Sequence, residues 1–202
     1  MRGRPRTQRA RDRRRRGPNL TGYLQDGADL AFFSGGKGIG GPQNAGLLAG
    51  RADLMEAAYV NALNLDAPRA GVARGMKASK ESIVGMVVAL ELLIETGEEA
   101  LHEGWMAKAQ YIRGRLEHIP GLRVVIEESS PDRHGPQPVV YFEPEWRGPS
   151  PAEIRRRLLE GDPPIHVGMG YYADEINLVM VCLQDGEEEI VAERLLGILE
   201  GV

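Results

Sequence analysis

Between Gly27 and Gly50 the chain reads GADLAFFSGGKGIGGPQNAGLLAG, and this stretch constrains the fold more than any other. Two short apolar runs, Asp29–Phe33 and Ala45–Ala49, flank a segment holding Gly35, Gly36, Gly38, Gly40, Gly41 and Pro42. The first run reads as a buried strand and the second as another strand, closed by Gly50 and Arg51. One lysine, Lys37, sits on the glycine loop, with the hydroxyl of Ser34 three residues before it. Glycine admits positive φ and lets other groups approach the backbone closely. A flexible loop of this kind at the end of a buried strand usually serves a ligand.

Four readings compete for the loop. Gly36-x-Gly38-x-x-Gly41 matches the dinucleotide fingerprint, but that motif opens a helix, and here Pro42 and a strand-like run follow. A phosphate-binding P-loop needs Ser or Thr after its lysine, and Gly38 stands there. Ser34-x-x-Lys37 fits the nucleophile pair of penicillin-binding enzymes, yet no Ser-Asp-Asn or Lys-Thr-Gly partner occurs. The fourth makes Lys37 a Schiff-base lysine for pyridoxal phosphate, with Ser34 holding the phosphate. A structural glycine turn with a solvated lysine stands beside it as the plain alternative.

Ser34-Gly35-Gly36-Lys37, Gly41-Pro42-Gln43, Ala45-Gly46 and Gly50-Arg51 resemble the cofactor-lysine segment of the L-seryl-tRNA selenium transferase family. That family is a branch of the aminotransferase-like, fold type I enzymes of pyridoxal 5'-phosphate, and it includes ammonia-lyases acting on D-glucosaminate 6-phosphate. The likeness continues through Arg74-Gly75-Met76-Lys77 with Lys80-Glu81, and through Gly161-Asp162-Pro163-Pro164-Ile165. It implies a cofactor bound by Lys37 and Ser34, with Lys37 catalytic. It implies further that Arg74 and Lys77 recognise an anionic substrate, an amino acid or an amino sugar acid. Two departures stand out. The family's strand end with a proline is replaced by Met180-Val181-Cys182-Leu183-Gln184. No upstream aspartate is placed to meet the pyridine nitrogen: Asp12 lies in an arginine run, and Asp26 and Asp29 are too close to Lys37.

Charge is unevenly spread. Of the 25 Lys+Arg, nine arginines fall in the first 16 residues beside a single aspartate, so the net −4 conceals a basic head on an acidic body. Such a body has no general affinity for nucleic acid. The head cannot fold alone, since like charges repel and nothing apolar is available to bury. It reads as a solvated tail, a nucleic-acid-binding arm or a non-native start, the last being favoured. The lone Cys182, inside the apolar run Ile176–Leu183, reads as buried and inert, and its solitude suits a reducing cytoplasm. No apolar run approaches the roughly 18 residues needed to cross a membrane. Histidines 102, 118, 134 and 166 lack metal-ligand spacing, so no metal site is expected.

Downstream, Arg51–Ala62 has helix composition. Ser79 caps a helix reaching Thr96, with Ile83, Val87, Leu90 and Ile94 as its apolar face. A helix over Glu98–Ile119 carries Leu101, Trp105, Ala109, Ile112 and Leu116 in one stripe. Strands follow at Leu122–Ile126 and Pro138–Phe142, then a helix capped at Ser150, strands at Ile165–Met169 and Ile176–Leu183, and a last helix opened by Glu187-Glu188-Glu189.

The order predicts an α/β protein that pairs the end of a large domain with a smaller α+β domain, helices on one face of its sheet. Residues 1–18 form the arginine-rich tail, 19–74 the end of the large cofactor-binding domain, 75–97 a linking helix and 98–202 the small C-terminal domain. The expected activity is elimination or replacement on an amino acid or amino sugar acid, in a homo-oligomer. The alternatives are a non-catalytic remnant or assembly module, and an RNA-binding protein using the arginine tail. The central parallel strands of the large domain would lie upstream of Met1. The 202-residue chain alone is therefore expected to hold no stable cofactor, with exposed strand edges near its N-terminus.

Overall fold

The computed structural model describes residues 20–62, 77–128, 135–169 and 174–201. Arg74 and the arginine-rich head lie outside them. The chain divides between Glu98 and Glu99 into two compact units.

The first unit holds α1 (Gly22–Gln25), β1 (Leu30–Ser34), β2 (Gly46–Gly50), α2 (Ala52–Asn61) and α3 (Lys80–Thr96). β1 and β2 pair with each other in antiparallel register, from Leu30↔Gly50 to Ser34↔Gly46. Each begins one residue later than its apolar run. Below the last pair, the Arg51 N–H donates to the Asp29 carbonyl at 3.0 Å, which closes the hairpin base. β1 is not the buried strand expected: Ala31 and Phe33 point inward while Phe32 is 75% exposed. With only one face packed in this unit, the two-residue period of a strand sends every second side chain out.

Helix α3 starts where the sequence placed it. The Ser79 hydroxyl accepts from the Ser82 N–H at 3.1 Å, and Gly97 ends the helix at φ +81°. Its buried face is another matter. Ser82, Met86, Ala89 and Leu93 are turned inward, whereas Ile83 is 55% and Ile94 72% exposed. Hydropathy picked the more apolar stripe, but the glycine loop approaches α3 too closely for β-branched side chains. The small and flexible residues took that face.

The second unit is a four-stranded antiparallel sheet, order β3-β4-β6-β5, formed by β3 (Leu122–Glu127), β4 (Gln137–Phe142), β5 (Gly168–Met169) and β6 (Glu175–Asn177). Val124, Val140 and Ile176 stand side by side on one face. Against them pack α4 (Glu98–Leu116), α5 (Pro151–Leu159) and α6 (Glu187–Leu199) through Ala109, Ile112, Leu116, Ile154, Leu158, Val191 and Leu195. This is the α+β layer the element order predicts.

Two strands are shorter than expected. Residues 165–167 run toward the sheet tied to α5 instead, the Ile165 N–H donating to the Leu158 carbonyl at 2.9 Å. After β6, the Leu178 N–H donates to the Pro138 carbonyl at 3.0 Å, and the chain then tightens into a 3-10 turn over Met180–Cys182. That turn carries Met180 into the core and leaves Cys182 exposed, not buried as its apolar neighbours suggested. The caps agree with the sequence: the Ser150 hydroxyl accepts from the Glu153 N–H at 3.2 Å, and three glutamates open α6, where the helix dipole favours them.

Candidate functional site

Lys37 stands at the tip of the loop joining β1 to β2, and its exposed side chain has no hydrogen-bond or ion-pair partner among the described residues. The loop beneath it is not slack. The Gly35 N–H donates to the Ala45 carbonyl at 2.9 Å, adding one rung to the hairpin ladder. Gly41 N–H reaches the Gly35 carbonyl at 2.8 Å and Gly40 N–H the Lys37 carbonyl at 2.8 Å. The Gln43 side-chain amide adds a bond to the Gly36 carbonyl at 3.2 Å. Ile39, 6% exposed, anchors the tip from below.

These glycines serve close approach more than freedom. A Cβ on Gly35 would meet the Ala45 carbonyl oxygen at 2.8 Å, Met86 Sδ at 2.9 Å and the Pro42 carbonyl oxygen at 3.0 Å. One on Gly41 would stand 3.2 Å from Met86 Sδ and 3.3 Å from Ala89 Cβ. From the helix side, a Cβ on Gly85 would lie 2.8 Å from Pro42 Cγ. The loop thus rests on the Gly85-Met86-Ala89 side of α3, which explains the face that the helix buries.

A polar link completes the contact. The buried Ser82 hydroxyl donates to Asn44 Oδ1 at 2.9 Å and lies 3.0 Å from the Ser79 hydroxyl. Sequence reasoning missed Asn44 and Ser82. Nothing local marks them, because their partnership spans 38 residues.

Between the hairpin and α3 lies an open hollow of about 630 Å³, a size suited to a small ligand. Phe32, Ile83, Met86 and Leu90 supply apolar walls, and Ser34, Gln43 and Asn44 the polar side chains. Among the described residues, none that lines it carries a carboxylate. Ser34 faces this space at the end of β1; Lys37, three residues on, is not among its walls. Lys77 is exposed just ahead of the α3 cap, and Arg74 lies outside the described residues.

At the other end of the hairpin, Arg51 forms a fork with Asp53 (Nε to Oδ1 3.1 Å, Nη2 to Oδ2 2.7 Å) and reaches Asp29 Oδ1 at 2.9 Å. The hydrogen bonds from Arg51 hold the Asp53 carboxyl below its ordinary range, and those carboxylates raise Arg51. Arg51 is therefore a clasp between β1, β2 and the first turn of α2. Asp29, which it engages, sits at the end of the hairpin away from Lys37. Among the described residues no group of His, Cys, Asp and Glu could hold a metal ion, and no helix is long and apolar enough to cross a membrane.

No family model matches the chain. The L-seryl-tRNA(Sec) selenium transferase of Solidesulfovibrio magneticus is 31% identical over 169 residues, covering 73% of this chain and 34% of the relative. A 5'-C-glycyluridine monooxygenase-decarboxylase of a Streptomyces species is 27% identical over 177 residues, 87% of this chain and 42% of its own. The solved structure of a D-glucosaminate-6-phosphate ammonia-lyase superposes with a TM-score of 0.63 at 26% identity, over 89% of this chain and 46% of that one. The chain thus spans a third to just under half of the length of these three proteins.

An antiparallel hairpin bearing a lysine loop, a long helix and an α+β layer are the fold of an aminotransferase-like, fold type I pyridoxal phosphate enzyme, of which this chain matches a part. Within that fold the chain is similar to L-seryl-tRNA(Sec) selenium transferases and to a D-glucosaminate-6-phosphate ammonia lyase.

Proposed function

We propose that this chain carries the cofactor lysine of a pyridoxal phosphate-dependent transferase or lyase acting on an amino acid or amino sugar acid. The observation that carries the reading is Lys37: a primary amine without a partner among the described residues, on a loop locked by backbone hydrogen bonds, at the end of the strand whose Ser34 faces a ligand-sized hollow. The residues fit the cofactor in two respects. An amine without an ion pair is available for attachment to its aldehyde, and the Ser34 hydroxyl can donate to a phosphate oxygen. Pyridoxal phosphate supplies an electron sink for the pair left at the substrate α-carbon when a proton departs.

Everything else falls to the protein's own groups. Once the substrate's amine has displaced it from the aldehyde, Lys37 Nζ takes the α-proton and returns it, a role that requires the freed amine to stay in reach. Arg74 and Lys77 bind the substrate's anionic group ahead of α3. An arginine there gives a two-pronged grip, and a lysine a point charge. The relatives' names cover selenium transfer, ammonia loss and monooxygenation with decarboxylation, so the shared part is attachment and α-carbon chemistry. Elimination or replacement is the outcome favoured for this chain. A reducing cytoplasm and a homo-oligomer belong to the same proposal; the exposed Ile83, Val84, Val87, Val88 and Leu92 of α3 offer apolar surface for a neighbouring subunit.

The test uses the native protein. It should be yellow as purified and lose the colour in Lys37→Ala. A colourless wild type, or an unchanged colour in Lys37→Ala, would refute the proposal.

A further inference from the structure

We propose that Asn44 and Ser82 are positioning residues for Lys37: a hydrogen-bonded pin that fastens the lysine loop to the first turn of α3. The inference rests on the cofactor reading for its purpose, but its geometry stands alone.

Ser82 is 6% exposed and lies on the buried face of α3, one turn before Met86. Its hydroxyl has a single proton, which goes to Asn44 Oδ1 at 2.9 Å. The Ser79 hydroxyl, 3.0 Å away, then donates to Ser82 Oγ, while Ser79 Oγ accepts from the Ser82 N–H at 3.1 Å. The result is a one-way chain, Ser79 to Ser82 to Asn44, in which the buried hydroxyl both donates and accepts. Neighbouring contacts beneath the loop are van der Waals in kind: Met86 and Ala89 under Gly41, and Gly85 under Pro42. Such contacts tolerate sliding. The Asn44 bond is directional, and it fixes where along α3 the loop sits.

Its position in the chain gives the pin leverage. Asn44 lies next to Ala45, whose carbonyl accepts from Gly35 and whose N–H donates to Pro42. Gly35 in turn is bonded through its carbonyl to Gly41. Lys37 is carried between these two fastened arms. Release of Asn44 removes the directional tether between the outgoing arm and α3, and the place of the loop along the helix then rests on the van der Waals contacts alone. The pin also ends at the α3 cap, two residues after Lys77, so one chain of hydrogen bonds ties the amine-bearing loop to the proposed substrate-anion segment.

The test is amide hydrogen exchange on the 202-residue chain, read at Gly35, Gly41 and Ala45, for Asn44→Ala, Ser82→Ala and Asn44→Asp. Removing the pin should speed exchange at these amides about tenfold in both alanine variants, with the amides of α4 and α6 unchanged as a folding control. Asn44→Asp keeps an acceptor oxygen for Ser82 and should restore the wild-type rate, which a purely space-filling role for Asn44 would not predict. In the native protein, the pyridoxal phosphate concentration giving half-maximal borohydride trapping on Lys37 should rise about tenfold in Ser82→Ala, which leaves the side chains lining the hollow unchanged. Unchanged exchange in the alanine variants, or equal loss in Asn44→Asp and Asn44→Ala, overturns the pin. Failure of the wild type to trap cofactor at all, with the exchange pattern as expected, overturns the cofactor reading and leaves the pin standing.

Discussion

Gly35→Ala probes the lysine loop most sharply, because the added methyl has nowhere to go. Of the three atoms within 3.0 Å of the new Cβ, two are main-chain carbonyl oxygens, of Ala45 and Pro42, and only Met86 Sδ belongs to a side chain that can turn aside. Both carbonyls are engaged, one by the Gly35 N–H and the other by the Ala45 N–H, so neither can retreat without breaking a loop hydrogen bond. Overpacking of this kind costs about 1–3 kcal/mol. The backbone here does not need positive φ, so alanine returns about 0.4–1 kcal/mol by restricting the unfolded chain. The steric term wins, and a net loss of about 1–2 kcal/mol falls on the loop, or roughly a five- to thirtyfold larger open population. Hydrogen exchange at Gly41 and Ala45 reads that population directly. Gly40→Ala is a poor control, since Gly40 sits at φ +73°. Gly114→Ala is better, because it lies in α4 with nothing within 4 Å of the added Cβ. The reasoning fails if Gly35→Ala exchanges like wild type.

Two further predictions concern the second unit. The Glu153 carboxyl is held down to about 2, chiefly by the hydrogen bond from Arg156 and next by that from Arg157. A depressed folded value stabilises above the unfolded one, so the contribution of Glu153 to α5 is complete above about pH 4.5 and is lost as pH falls toward 2. A carboxyl carbon titration by NMR should show the low midpoint in wild type and a return toward the ordinary range in Arg156→Gln. Gly104 lies inside α4 with no atom within 4 Å of an added Cβ. Gly104→Ala should therefore stabilise the unit by about 0.5–1 kcal/mol, measured as a raised urea midpoint at constant slope.

The elements with local signatures were legible in the sequence. Ser79 and Ser150 announce helix starts by side-chain chemistry within three residues, and the α4 stripe of Ala109, Ile112 and Leu116 repeats at the helical period. The loop between two strands that carries Lys37 was legible because its glycines stand together between two short apolar runs. What escaped depends on residues distant in sequence. Ser82 is an ordinary first-turn serine until Asn44, 38 residues away, accepts its proton. The buried face of α3 was misjudged for a related reason. Hydropathy ranks Ile83 and Ile94 above Ser82 and Ala89, yet the partner surface is glycine backbone, which selects for small volume. The apolar run predicts a buried Cys182 on a continuous strand, whereas the chain leaves the sheet after Leu178 and turns.

The central claim is that Lys37 is the attachment point for pyridoxal phosphate. Borohydride reduction of the native protein, followed by proteolysis and mass mapping, tests it without reference to any substrate. The account predicts that the reduced pyridoxyl group is recovered on the peptide containing Ser34-Gly35-Gly36-Lys37, and that Lys77 and Lys80 remain unmodified at stoichiometric labelling. Recovery of the label on Lys77 or Lys80, or its absence from every lysine of the chain, would contradict it.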